Sequence, residues 1–144
     1  MKVDFEIISS LEEESAVIKA VQKTEYIQNA IDILEHGISN VTVSKDGKTY
    51  LCKMDAIYYV ESVDKKTFIY TKDECYQTKK RLYELEQELN INFLRCSKAM
   101  IVNIRKIKSV KSDYNGRMNA QLLNGETVVI SRSYVKDLKK RLGL

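Results

Sequence analysis

Apolar and acidic residues alternate at the start of the chain. Val3, Phe5 and Ile7 are set against Asp4 and Glu6, the two-residue period of a half-buried strand. An acidic turn over residues 9–15 leads to a second apolar run, Ala16–Val21. The period then lengthens. Ile27, Ala30, Ile31 and Leu34 share one face at helical spacing, behind Thr24 as a cap and ahead of Gly37 as a stop. His36, just before that glycine, is placed to meet the last helical carbonyls. Residues 1–40 therefore read as a small α+β element, too short to bury its own apolar faces.

From Val41 onward the pattern is one of short strands. Val41–Lys45 and Lys48–Cys52 flank Asp46-Gly47, a pair suited to a type I′ hairpin turn. Ile57–Val63 and Thr67–Thr71 form the next pair, joined by Asp64-Lys65-Lys66. A short strand near Glu74–Thr78 precedes a helix at about 80–89, with Leu82, Leu85 and Leu89 on one face. Phe93–Cys96, Ala99–Val102, Ile107–Lys111, Asn119–Leu123 and Glu126–Ile130 supply further strands, the last two joined by Asn124-Gly125, again a type I′ signal. Ser131 then caps a final helix with Val135, Leu138 and Leu142 apolar. Residues 41–144 thus form one mostly-β domain of antiparallel strands with short helices.

Charge is distributed unevenly over this pattern. Residues 95–144 hold twelve Lys and Arg against three acids, a net charge of +9, while residues 41–94 balance at zero and residues 1–40 carry −5. The overall +4 conceals a polarised molecule, the electrostatic footprint of a polyanion binder. Composition fits a folded domain, with no proline and five glycines, so a long flexible linker is not expected. No apolar run approaches the roughly 18 residues of a bilayer span, and the N-terminus lacks a secretory pattern. The expected protein is cytoplasmic and not inserted in a membrane.

Catalytic constellations are missing from the sequence. The single histidine gives the serines no triad partners, and the glycines stand alone rather than in a phosphate-cradling loop. Cys52, Cys75 and Cys96 are widely spaced and far from His36, which argues against a metal site or a disulfide framework. Cys96 has two readings: a thiol activated by Arg95 and Lys98, or a small apolar strand residue. Tyrosines at 58, 59 and 70 fall in strands, where packing accounts for them. The expectation is a protein that is not an enzyme and has no cofactor or metal.

What remains is a set of junctions pairing positive charge with hydrogen-bonding groups. Lys65 and Lys66 sit at a hairpin tip, Ser97 and Lys98 between two strands, and Arg132, Ser133 and Tyr134 between the last strand and helix. Loops on a rigid β scaffold are common sites of function, and these residue types meet phosphates and base edges. Each junction taken alone also reads as a solvated turn. Charge by itself does not separate DNA from RNA or an acidic protein.

Three stretches in this order, Ile57-Tyr-Tyr-Val-Glu-Ser62, Phe93-Leu-Arg-Cys-Ser-Lys-Ala-Met-Ile-Val-Asn-Ile-Arg-Lys-Ile107 and Leu122-Leu-Asn-Gly-Glu-Thr-Val-Val-Ile-Ser-Arg-Ser-Tyr134, resemble the LytTR DNA-binding domain of LytR/AlgR-type transcriptional regulators. The resemblance covers roughly residues 41–144. It implies an elongated, mostly-β arrangement of small antiparallel sheets with short helices, which reads successive major grooves of double-stranded DNA with loops. On that analogy Lys98, with Arg132 or Ser133, meets base edges, and Lys66 or Thr67 adds a contact. Lys65, Ser97, Tyr134 and Lys136 hold phosphates, while Arg95 and Asn103 serve the fold. Ser97 replaces a histidine common in the family, and Ala99 a common hydroxyl residue.

The resemblance further implies a stand-alone form without the receiver domain that many members carry, since about 40 residues come before this domain. Residues 1–40 are expected to dimerise the protein on repeated half-sites or to engage an unidentified regulatory protein. The alternative is a non-catalytic module that binds RNA or an acidic protein.

Overall fold

The computed structural model describes residues 1–10, 14–36 and 40–144. It divides into two compact units, residues 1–38 and 39–144.

In the first unit the helix forms where its period places it, as α1, Glu25–His36. Thr24 caps it: its Oγ1 accepts from the Ile27 amide at 3.3 Å, and its carbonyl from the Gln28 amide at 2.9 Å. The Gly37 stop and the His36 side chain lie outside the described residues. The two strands expected at 3–8 and 16–21 do not form; residues 1–10 and 14–24 take neither helix nor strand. The reason is physical. Alternation specifies which face of a strand is buried, but a strand exists only through a hydrogen-bonded partner, and none pairs with these residues among the described ones.

The described residues of the second unit form ten strands and two α-helices: β1 (Asn40–Lys45), β2 (Lys48–Lys53), β3 (Tyr59–Val63), β4 (Lys66–Tyr70), β5 (Cys75–Thr78), α2 (Leu82–Glu88), β6 (Phe93–Ser97), β7 (Met100–Asn103), β8 (Ile107–Ser112), β9 (Met118–Leu122), β10 (Thr127–Ile130) and α3 (Arg132–Leu142). The strands form a seven-stranded sheet, ordered β2-β1-β5-β4-β3-β7-β6, and a three-stranded sheet, β10-β9-β8. Every pairing is antiparallel. The mostly-β expectation holds.

Two buried clusters follow from strand alternation. Along β7, Ile101 joins Val60, Ile69, Leu82 and Leu85 in a core beneath α2. Its neighbour Val102 joins Cys96, Leu122, Ile130 and Leu138 in a second core beneath the three-stranded sheet and α3. The half of the large sheet around β3, β7 and β6 is therefore packed on both faces, a rigid base for its turns. Asn103, 2% exposed, closes β7. Its Nδ2 donates to the Ile57 carbonyl at 2.8 Å and its Oδ1 accepts from the Arg105 amide at 3.0 Å.

The hairpin turns separate two chemistries. Asp46 and Gly47, with φ of 50° and 74°, form the expected type I′ pair between Lys45 and Lys48. At Asn124-Gly125 the expectation fails. Only Gly125 has positive φ, and the Leu122 amide donates to the Glu126 carbonyl at 2.7 Å. The loop is thus a three-residue one, in which a left-handed glycine follows an ordinary turn. Ser131 holds the N-cap position of α3, but its hydroxyl makes no capping bond.

Candidate nucleic-acid interface

Strand register places the basic junctions at one end of the large sheet. Val63 pairs with Lys66 across a two-residue turn, Asp64-Lys65. β3 also pairs with β7, Glu61 facing Met100, so the tip of the β3–β4 hairpin lies beside the β6–β7 turn at Lys98-Ala99. The Ser62 amide donates to the Ala99 carbonyl at 2.8 Å, joining the two. The third junction is tied in the same way: the Ser131 amide donates to the Cys96 carbonyl at 2.8 Å, one residue before Ser97. These bonds use backbone groups, so the three junctions share a rim whatever their side chains do.

Each tip has its own support. Asp64 and Lys65 both adopt left-handed backbone, with φ of 50° and 65°. That conformation costs a residue with a Cβ about 1 kcal/mol or more. Arg81, just before α2, donates from Nη1 to the Lys65 carbonyl at 2.8 Å. At the second tip, Arg95 donates from Nε to the Ser97 carbonyl at 2.8 Å and from Nη2 to the Lys98 carbonyl at 2.5 Å. The strand is irregular there, with the β6–β7 register shifting between Arg95 and Ser97. Ser97 Oγ accepts from the Ala99 amide at 3.2 Å, which tightens the turn.

Lys65, Lys66, Lys98, Arg132, Ser133 and Lys136 are exposed; Ser97, Tyr134 and Arg95 are half-buried. Tyr134 packs against the second core. Thr67 is 2% exposed as a residue of β4, so of the pair Lys66 and Thr67 only the lysine presents a surface. Cys96 has the apolar reading. Fully buried, its thiol is pushed up to about 12 by desolvation, which outweighs the opposing effect of Arg95.

Arg81 and Glu86 were not singled out by sequence. No motif marks them, because their roles depend on how α2 lies against β3 and β6. The turn Asp113–Arg117, with one acid and one base, was not singled out either. Its Tyr114, 98% exposed inside that segment, is the signal that could have drawn notice.

Residues 47–143 match the family profile of the LytTr DNA-binding domain. The chain belongs to this family. Among solved structures, a LytTr DNA-binding domain from Bacillus cereus superposes with a TM-score of 0.70 at 31% identity, covering 74% of this chain and 98% of that one. Sensory transduction protein LytT of Enterococcus faecalis is 30% identical over 72% of this chain and 43% of its own length. The Bacillus cereus LytT is 36% identical over 64% of this chain and 38% of its own length. The chain thus spans about two fifths of those LytT proteins. A Staphylococcus aureus (strain bovine RF122 / ET3-1) protein described as an uncharacterized HTH-type transcriptional regulator is 27% identical over 100% of this chain and 99% of its own. Among the described residues of this LytTr chain no helix is followed by a turn and a second helix. No described helix is long and apolar enough to cross a membrane.

Proposed function

We propose that this protein is a sequence-specific regulator of transcription that reads double-stranded DNA with the three junctions, placed in successive major grooves, and acts in the cytoplasm as a homodimer on repeated half-sites. The observation that carries the reading is the backbone joining of three basic junctions, Ser62 to Ala99 and Ser131 to Cys96, on one rim of a LytTr domain. Lys98 and Arg132 or Ser133 meet base edges, with Lys66 beside them; Lys65, Ser97, Tyr134 and Lys136 hold phosphates. Arg95 acts through the second tip rather than on DNA.

Dimerisation is assigned to residues 1–38. Val3, Phe5 and Ile7 alternate with acids and are exposed, with no strand partner among the described residues, and a second copy would supply the partner that such a segment needs to become a strand.

Selection from a random duplex pool by the full chain tests the function. Repeated half-sites about one helical turn apart are expected, since grooves facing one side recur at that interval. Binding without sequence preference, or equal binding of duplex DNA and random RNA, would reject this reading in favour of a general polyanion or RNA module.

A further inference from the structure

We propose that the β8–β9 turn, Asp113–Arg117, forms with Arg132 a fourth contact on duplex DNA, one that grips the sugar–phosphate backbone beside the three reading junctions and leaves the base edge at the third junction to Ser133. The proposal rests on the DNA-reading function above and adds a site to it.

Register puts the turn on the same rim. In the three-stranded sheet Met118 pairs with both Ser112 and Ile130, so the turn between β8 and β9 lies at the end where β10 passes into Arg132. The two are in close contact. Gly116 has φ of 79°, and a Cβ added there would lie 3.0 Å from Arg132 Cδ and 3.2 Å from Cγ. The turn backbone thus packs on the methylene stem of Arg132, and a Cβ at 116 would both strain the left-handed backbone and push that stem aside by a few tenths of an ångström.

Asp113 organises the turn from within. Its Oδ1 accepts from the amides of Asn115, at 2.8 Å, and Arg117, at 3.0 Å, and its Oδ2 lies 3.3 Å from Arg117 Nε. The carboxylate is therefore occupied by the turn's own donors, and its side chain is 19% exposed against 48% for Arg117. Beyond it an open depression of about 470 Å³ is lined by Tyr114, Asn115, Arg117 and Arg132. No acid lines it.

The lining decides the class of ligand. Two guanidiniums, a phenol and an amide supply donors in excess and little apolar wall, unlike a pocket for an apolar small molecule. Guanidinium groups match phosphate oxygens in paired geometry. Tyr114, 98% exposed, presents a flat ring with a hydroxyl to the same side chains. A free anion would meet the same donors, but the position on the rim favours a polymer whose phosphates continue past the bases being read.

The test uses the full chain and a duplex selected by it. Arg117→Gln should weaken binding about fivefold to tenfold at every sequence alike and reduce the log–log salt slope by about 0.9. Replacing flanking phosphates one at a time by neutral methylphosphonates should weaken wild-type binding at one or two positions and leave Arg117→Gln unaffected there. The second arm needs no variant to fold for the wild-type result. Indifference of wild type to every flanking neutral phosphate would overturn the fourth contact, as would additivity of Arg117→Gln with the substitution. An altered base preference in Arg117→Gln would overturn its assignment to the backbone. Failure of wild type to select any duplex would instead overturn the function on which the site rests.

Discussion

Arg95 Nη1 lies 2.8 Å from Glu86 Oε1, so the same guanidinium that holds the carbonyls of Ser97 and Lys98 is itself held by α2. The pair is partly exposed, and its direct contribution to stability is of the order of 1 kcal/mol or less. Its importance is geometric, because a planar fork fixes two carbonyls and a carboxylate at once. Lysine keeps the charge and loses the fork. Arg95→Lys should therefore lower affinity for a selected duplex about tenfold and blur preference at the position read by Lys98, with the melting temperature changed by only a few degrees. Anisotropy titrations beside a thermal melt check this. A large loss of stability with intact preference would assign Arg95 to the fold alone.

Lys65 stands where a type I′ turn favours glycine. Its left-handed backbone is a local cost retained at a tip that the proposed function places on DNA. Lys65→Gly should stabilise the protein by about 0.5–1 kcal/mol in denaturant unfolding. The same variant should weaken DNA binding at all sequences and lower the salt slope by about 0.9, one phosphate contact. A variant more stable and equally tight on DNA would remove Lys65 from the interface.

Alkaline pH should unfold this domain sooner than its surface charge suggests. Burial pushes Cys96 up from 9.0 to about 12, and burial with neighbouring Cys75 raises Tyr70 to about 12. Tyr59 is raised as well, by burial first and then by a bond to Glu126. Each group is neutral when protonated and keeps its proton more firmly in the fold than in the open chain. The stability they contribute is thus intact below about pH 9 and is lost as pH rises toward 12, where the unfolded state sheds protons first. Denaturant titrations at pH 8, 9.5 and 11 should show a falling midpoint, and Cys96→Ala should flatten that fall. In the same window exposed Cys75 should alkylate well before Cys96. Equal alkylation rates would contradict the burial.

Much of this fold was legible because its signals are local. Asp46-Gly47 dictates a turn, Leu82 and Leu85 mark the buried face of α2, and Thr24 caps α1. Asn124-Gly125 misled because the same dipeptide suits a two-residue turn and the end of a three-residue one; the pairing of Leu122 with Glu126 decides between them. The basic junctions were visible as residues, but their meeting on one rim was not, since it depends on β3 lying between β4 and β7. The brace from Arg81 to Lys65 and the packing of Gly116 on Arg132 join residues 16 apart in sequence, and the pair of Arg95 with Glu86 joins β6 to α2. Strand order carries that information, and no short motif contains it.

The N-terminal strands were the clearest expectation to fail within one chain, and that failure sets the last prediction. Alternation over Val3, Phe5 and Ile7 specifies an apolar face, and these side chains are 80%, 88% and 85% exposed. Burying three such side chains is worth about 1.5–3 kcal/mol each, and a strand edge offers ladder bonds to a second copy. The full chain should therefore be a dimer in light scattering. Phe5→Glu with Ile7→Glu should yield a monomer that keeps its circular dichroism spectrum, since residues 39–144 form a unit of their own. On a DNA with two half-sites the variant should lose cooperative binding and fall about a hundredfold in affinity, while a single half-site is bound as before. A wild-type monomer, or a variant that stays dimeric, would take dimerisation away from these residues.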